Sequence, residues 1–289
     1  CPLGQFPCGN LSVCLPQPQH CNGQQDCPNG ADEENCGKTV THTLSYKDNN
    51  IVHICTGIQY TVLDVYPDTC HCEGRKVNCN GKNLLHVPAV SSNVTALELN
   101  SNRIESLSRD LFIRYRHLER LHLESNSIET ISKRAFSGLV ALRKLFLSQN
   151  KISSLKAGIF SDLSSLEWLI LDENRISSLR QKSFEGLKSL FFLSLLNNSV
   201  EQFPKTSICH EMPRLNWLEM EGNIISSLWA SSFKNCSSLT VLDVSVNQIK
   251  DLPPSLFQNL QNLKQLNISN NPLVNIYSNQ FDSLVNLQS

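Results

Sequence analysis

The stretch CNGQQDCPNGADEENC, residues 21–36, concentrates the side chains in this chain that are best suited to chemistry. It holds three cysteines, four carboxylates and several side-chain amides, and almost nothing that could build an apolar core. Crowded carboxylates repel one another unless a hard cation lies among them, and carboxylate and amide oxygens suit calcium. The stretch therefore predicts a calcium-binding loop, and a merely solvated acidic loop is the simpler alternative.

No residue pattern in the chain indicates catalysis. The eight histidines are scattered along the 289 residues, and neither a nucleophile elbow nor a phosphate-binding glycine loop occurs. The formal net charge is −1, so nothing global favours nucleic acid or a membrane surface as a partner. No apolar run approaches the roughly 20 residues that a membrane helix needs. We predict a binding protein that is not an enzyme and does not bind nucleic acid.

The twelve cysteines fall into three groups: six within residues 1–36, four within residues 55–79, and the pair Cys209 and Cys236. Cysteines clustered in apolar-poor segments indicate disulfides and an oxidising compartment. Five N-x-S/T sequons agree with export and glycosylation. They lie at Asn10, Asn93, Asn197, Asn235 and Asn267. We therefore expect an extracellular protein.

Eight in-register copies of L-x-x-L-x-L-x-x-N-x-I/L begin at residue 94 and recur every 24 residues, with one unit of 25. This is the signature of leucine-rich repeats. Each L-x-L predicts a short strand with its leucines inward and the intervening residue outward. The repeat asparagines should stack as a ladder that satisfies the backbone, and phenylalanines should fill the core from the convex side. Cys209 and Cys236 lie at similar depth in adjacent repeats and are predicted to form a disulfide.

Residues 70–79, CHCEGRKVNC, precede the first repeat, where a solenoid needs a cap over its exposed apolar end. A Cys-x-Cys followed by a third Cys and a strand resembles the disulfide-stapled cap of secreted leucine-rich proteins. A zinc site is the alternative interpretation. The resemblance implies two disulfides, Cys55–Cys72 and Cys70–Cys79.

Residues 1–36 resemble a low-density-lipoprotein-receptor class A module, with cysteines spaced CX6CX5CX6CX5CX8C and with FPCGN, CLP and ADEENC in place. The resemblance implies three disulfides: Cys1–Cys14, Cys8–Cys27 and Cys21–Cys36. It also implies a calcium site. The ligands would be the side chains of Asn22, Asp26, Asp32 and Glu33 and the backbone carbonyls of Gln19 and Gln24. Asn22 stands where the pattern usually has Asp, so we expect an affinity at the weak end, about 10⁻⁴ to 10⁻³ M.

The chain consists of one class A module, a linker, a cysteine cap and a leucine-rich array, in that order. This arrangement resembles the extracellular region of the relaxin-family peptide hormone receptors, which are G-protein-coupled. CPLGQFPCGN, EWLILDEN and MPRLNWLEMEGN carry the resemblance, and SLFFLSLLNN leans toward the branch that binds insulin-like peptides. The implied fold is a small disulfide-rich calcium module followed by an α/β leucine-rich-repeat solenoid with a parallel sheet on its concave face. The implied division is a class A module at 1–36, a linker at 37–69, a cap at 70–92 with Cys55, and repeats at 93–289.

Carboxylates lie beside aromatic side chains on the predicted concave face, which favours a cationic, partly apolar ligand. In the receptor family the repeats capture the hormone, and the class A module acts as a tethered activator of the transmembrane bundle that couples to a G protein. Position by position, the resemblance assigns Glu219 and Glu221 to an acidic pair. It assigns Trp168, Ile170, Phe192 and Ser194 to an apolar patch. The repeat expected to carry a second acidic pair is not found, and Asp243 is the residue that could substitute for it in part.

These features predict a location on the extracellular side of the cell membrane, for a fragment that stops inside a ninth repeat. The alternative is a secreted matrix or decoy leucine-rich protein that uses the same face for another partner. Residues 37–69 show neither heptad nor strand alternation over most of their length. We therefore predict a linker there, ordered near Cys55.

Overall fold

The computed structural model describes residues 5–8, 13–16, 25–30, 42–45, 51–54, 67 and 69–289. Its strands are short, as the L-x-L motif predicts. In chain order they are β1 (Gln5–Pro7), β2 (Cys14–Pro16), β3 (His42–Ser45), β4 (Ile51–Ile54), β5 (His71–Glu73), β6 (Lys76–Asn78), β7 (Ala96–Glu98), β8 (Ser106–Leu107), β9 (Arg120–His122), β10 (Thr130–Ile131), β11 (Lys144–Phe146), β12 (Trp168–Ile170), β13 (Phe192–Ser194), β14 (Trp217–Glu219), β15 (Val241–Asp243) and β16 (Gln265–Asn267). One 3₁₀ helix, Ile208–His210, lies within the described repeats.

Ten of these strands form one sheet in the order β5, β6, β7, β9, β11, β12, β13, β14, β15, β16. β5 and β6 are antiparallel, and every later pair is parallel. The 24-residue period explains this order, because each repeat returns the chain to the same place one strand further along. A second, smaller ladder begins where β8 pairs with β10 and continues as single bridges such as Ser178 with Gln202.

The core lies between the large sheet and the second ladder. The central leucine of every repeat strand from β7 to β15 is at most 1% exposed. Phenylalanine rings stack behind them, with centroids 6.1 Å apart for Phe112 and Phe136 and 5.9 Å apart for Phe136 and Phe160. Burying each such side chain contributes about 1.5–3 kcal/mol. The 25-residue repeat has the buried Ile208 at this position, and its Phe203 ring lies 5.3 Å from Phe233.

The asparagine ladder is confirmed by the hydrogen bonds. The Asn150 amide nitrogen donates to the carbonyls of Leu123, Leu147 and Ser148 at 2.9–3.1 Å, and its oxygen accepts from the Ile128 amide. Equivalent bonds recur from one repeat to the next. Because each amide bonds the backbone of its own repeat and of the one before it, the ladder holds adjacent turns in register.

The N-terminal cap is a hairpin of β5 and β6 closed by the Cys70–Cys79 disulfide, with Cα atoms 4.5 Å apart. Val77 is fully buried against the first repeat. The cap therefore extends the sheet by two strands and covers the apolar end of the array, as the sequence predicts.

Residues 37–69, predicted as a linker, contain an antiparallel pair of strands, β3 and β4. The lack of alternating polar and apolar residues therefore did not exclude strands in this segment. β4 reads Ile51-Val52-His53-Ile54, and three β-branched residues favour extended backbone without alternation. β4 ends one residue before Cys55, where order was expected, although Cys55 itself lies outside the described residues.

Candidate ligand-binding face

The repeat strands place two columns of outward side chains on the sheet. Because the central leucine of each strand points inward, its two neighbours point outward. The strand register aligns Trp168, Phe192 and Trp217 in the first column. It aligns Ile170, Ser194, Glu219 and Asp243 in the second. We call these seven residues, with Asp172 and Glu221 just beyond the strand ends, the ligand face.

The first column is a continuous aromatic row. The Trp168 and Phe192 rings lie 4.8 Å apart at 46°, and the Phe192 and Trp217 rings lie 5.3 Å apart edge to face. Both tryptophans remain more than a third exposed, whereas Phe192 is 9% exposed. Phe192 is thus the packed centre, and the two indoles offer apolar surface to a partner.

Trp217 was missed in the sequence. LNWLEM places its tryptophan at the same repeat position as LEWLIL places Trp168, so the repeat alignment could have found it. Lys144 was missed as well: its Nζ lies 4.9 Å from the Trp168 ring centroid. This cation–π contact covers one side of the indole and fixes its orientation.

The second column carries the charge. The Ser194 hydroxyl, 1% exposed, lies 2.5 Å from Asp172 Oδ1 and 3.1 Å from Glu219 Oε2. Asp172 Oδ1 also accepts from the Leu196 amide at 3.0 Å. One hydroxyl carries one proton, so it can donate to only one of these carboxylates at a time.

Burial raises the pKa of both carboxyl groups on either side of Ser194. For Asp172, burial outweighs the hydrogen bonds from Ser194 and Leu196, and the pKa lies above its ordinary value of 3.8. For Glu219, burial and then the negative charge of Asp172 hold the pKa above 4.5, against the hydrogen bond from Ser194. No ion pair among the described residues involves either group. A cationic ligand group would therefore meet two partly desolvated carboxylates.

The remaining predicted residues are distributed along this face. Asp243 accepts from the Ser245 amide and hydroxyl and, through Oδ2, from the Asn267 amide at 2.9 Å. Glu221 is exposed just past β14. Ser194 was assigned to an apolar patch, but its hydroxyl bonds to carboxylates. The apolar patch thus consists of the aromatic row with Ile170.

The acidic character is local to one part of the sheet. Glu98 occupies the same column near the cap, but its Oε2 accepts from the Asn78 and Asn80 amides at 2.8 and 3.2 Å. His122 stacks on Phe146 with centroids 4.3 Å apart and lies 3.0 Å from Glu124. On this face of the first repeats, Glu98 and Glu124 thus already have partners within the chain.

The predicted calcium ligands fall largely outside the described residues. Asp26 is described and is half-buried, and Gln19, Asn22, Gln24, Asp32 and Glu33 are not described. Nearby, β1 and β2 pair, Cys8 is bonded to Cys27, and the Asn29 amide donates to the Cys8 carbonyl. In the described part of the chain, no group of three or more His, Cys, Asp or Glu side chains could hold a metal ion. The calcium site stays a prediction.

The disulfides present include three of the six expected pairs, Cys8–Cys27, Cys70–Cys79 and Cys209–Cys236. Cys14 and Cys72 are also disulfide-bonded, but the pairs expected for them, and Cys21–Cys36, involve cysteines that are not described. Four sequon asparagines, Asn93, Asn197, Asn235 and Asn267, are exposed, and Asn10 is not described. No helix among the described residues is long and apolar enough to span a membrane.

The family pattern described as Leucine rich repeat matches residues 92–152, 142–200, 213–273 and 237–289, and that of the Low-density lipoprotein receptor domain class A matches residues 1–36. Relaxin receptor 2 of Canis lupus familiaris is 44% identical over 126 residues, 42% of this chain and 17% of that protein. Relaxin receptor 2 of Homo sapiens is 43% identical over 126 residues, which cover 42% of this chain and 16% of that protein. Relaxin receptor 1 of Homo sapiens is 42% identical over 129 residues, which cover 42% of this chain and 17% of that protein. The match thus spans about a sixth of the length of these curated relatives.

Proposed function

Because the chain belongs to the leucine-rich-repeat proteins and is homologous to relaxin receptors 1 and 2, we propose that it forms the extracellular hormone-binding region of a receptor for relaxin or insulin-like peptides. The repeats capture the hormone on the ligand face. The class A module, held by calcium, acts as the tethered activator of a transmembrane domain that couples to a G protein.

The observation that carries this proposal is the parallel arrangement of an aromatic row and an acidic row on adjacent columns of one sheet. Strands of a sheet lie about 4.8 Å apart, so Trp168 and Glu219, two strands apart, are separated by roughly 10 Å along the array. One face of a short helix spans that distance. It would place an aliphatic side chain on the indoles and an arginine on Glu219 and Glu221, with Asp243 beyond.

Neutralising Glu219 and Glu221 tests this proposal. The double variant Glu219→Gln/Glu221→Gln should lose hormone binding by on the order of 2–5 kcal/mol, because a desolvated charge pair loses one partner. Binding of a labelled relaxin-type peptide is the measurement. Added salt should weaken the wild-type complex more than the complex of this variant.

Glu98→Gln is the matched control. It removes a carboxylate from the same column, but one that the Asn78 and Asn80 amides already occupy. Its effect on binding should be small. Equal losses from both changes would mean that general negative charge, and not this site, attracts the peptide.

A further inference from the structure

A line of exposed cations lies on the opposite side of the core from the ligand face. It follows the second ladder, in the turn that precedes the buried phenylalanine of each repeat, or the buried Ile208 in the fifth repeat. Every one of the first five repeats contributes at least one lysine or arginine to this turn. We call this set the basic ridge; it comprises Arg109, Lys133, Arg134, Lys156, Arg180, Lys182 and Lys205, all exposed.

Backbone hydrogen bonds join the ridge turns of the first and second repeats and those of the third and fourth. The Asp110 amide donates to the Arg134 carbonyl at 2.9 Å, and the Gly158 amide donates to the Lys182 carbonyl at 3.0 Å. The Lys133 side chain also reaches the next repeat, because its Cε would lie 3.5 Å from a Cβ built on Gly158. The repeat period therefore sets these cations in one row. Five strands at about 4.8 Å give the row a length of roughly 20 Å.

Most of these cations form no ion pair within the part of the chain that the structure describes, although the Glu185 carboxylate lies near Lys133: a Cβ built on Gly158 would be 3.8 Å from Glu185 Oε2 and 3.5 Å from Lys133 Cε. Asp110 pairs with Arg109 and Arg134 at 3.2 and 3.0 Å. No ion pair among the described residues involves the other five members. The nearby Glu211 carboxylate is occupied, since it accepts from the Lys182 and Phe184 amides.

The row ends at an exposed tryptophan. Trp229 occupies the ridge position of the sixth repeat, and Lys205 Nζ lies 4.8 Å from its ring centroid. The indole N–H donates to the Phe203 carbonyl at 3.2 Å, so both side chains are fixed. In the seventh repeat the turn reads Pro253-Pro254 and carries no cation. The positive row is therefore confined to one half of the array.

We propose that the basic ridge binds a linear sulfated polysaccharide. A row of ammonium and guanidinium groups, five of the seven in no ion pair among the described residues, matches a polymer with anions repeated along its length. The disulfides indicate an extracellular chain, and sulfated polysaccharides are the abundant linear polyanions there. The ridge lies across the core from the ligand face, so this partner and a peptide on that face can bind together.

The test uses immobilised heparin as the probe and the whole chain as the protein. The triple variant Lys133→Gln/Lys156→Gln/Lys182→Gln should lose affinity at least tenfold, and the slope of log affinity against log salt should become shallower by roughly one for each lysine replaced. The control Lys234→Gln/Lys250→Gln/Lys264→Gln removes the same charge from exposed positions in later repeats. It should change affinity less than twofold, and thermal unfolding checks that both variants fold.

Three results would overturn the proposal. Equal losses in the two triple variants would assign binding to net charge. Undiminished binding of desulfated heparin would exclude recognition of sulfate. Duplex DNA that binds as tightly as heparin, with the same dependence on the three ridge lysines, would show a surface that accepts any polyanion.

Discussion

Ser194 shows how one hydroxyl organises the charge of the ligand face. It is buried between Asp172 and Glu219 and can donate to only one of them. Desolvation raises the pKa of both carboxyls, so the folded protein binds protons at these positions more tightly than the unfolded chain does. Their ionisation therefore costs stability, and this cost is relieved as pH falls.

We predict that Asp172→Asn/Glu219→Gln is at least as stable as the wild type at neutral pH. The amide oxygens can still accept from Ser194 and the Leu196 amide, while the buried charges are gone. As pH falls through the raised pKa values, the wild type should approach the variant, with no further change below the ordinary values of 3.8 and 4.5. Thermal unfolding of both proteins across this pH range is the measurement. A stability difference that does not depend on pH would contradict the assignment.

The contacts of residues with a structural role could be predicted from the sequence. The contacts of the polar residues on the ligand face were harder to predict. The repeat position alone predicts that Asn150 bonds the backbone, because every repeat presents the same orphan carbonyls to it. The role of Ser194 depends on which side chains flank it across two strands, and Asp172 reaches it from beyond a strand end. Periodicity does not specify such contacts, so the carried-over assignment of Ser194 to an apolar patch was wrong about its surroundings.

Two glycines in turns, Gly138 and Gly74, distinguish the effect of backbone strain from the effect of steric crowding. Gly138 has φ +88°, and a Cβ there would lie 2.5 Å from the Ile113 carbonyl oxygen and 2.8 Å from Ile113 Cα. Gly74, in the β5–β6 turn, has φ +59° and nothing within 4 Å of such a Cβ. Both positions favour glycine, but only Gly138 lets a repeat turn approach the backbone of the preceding repeat.

We predict that Gly138→Ala lowers the free energy of unfolding by more than about 2 kcal/mol, because strain and a clash with rigid backbone add together. Gly74→Ala should cost no more than about 1 kcal/mol, since left-handed strain of about 1–2 kcal/mol is partly offset by a less flexible unfolded chain. Chemical denaturation of the two variants compares them. Similar losses would show that the preceding turn can move away from Gly138.

The array could be predicted strand by strand because each repeat supplies the same hydrophobic pattern, whereas the antiparallel pair β3–β4 could not. Its strand residues Ile51 and Val52 are adjacent apolar residues, and a pattern of that kind fits several structures. Repetition supplied the independent copies that resolve this ambiguity for the leucine-rich strands. The segment around β3 and β4 occurs once.

At the scale of the whole molecule, a net charge of −1 conceals two opposed surfaces. The carboxylates of the ligand face and the cations of the basic ridge lie on opposite sides of one core. In the overall composition the charges of the two surfaces nearly cancel. The register of the repeats places the two kinds of charge on different sides of the molecule. The sequence therefore pointed to a cationic ligand for one face and gave no sign of an anionic partner for the other.

The proposed division of labour between the class A module and the repeats gives a test at the same scale. Deleting residues 1–36 from the full-length receptor should leave hormone binding nearly unchanged, because the ligand face lies on strands β12 to β15. The same deletion should abolish the second-messenger response.

The variant Asp32→Asn should have the same effect as the deletion, since a small module with little core depends on its ion. Glu34→Gln removes a carboxylate from the same stretch but outside the predicted ligand set, so it should signal normally. A deletion that still signals would refute the activator role, and normal signalling by Asp32→Asn would refute the calcium ligands while leaving that role intact.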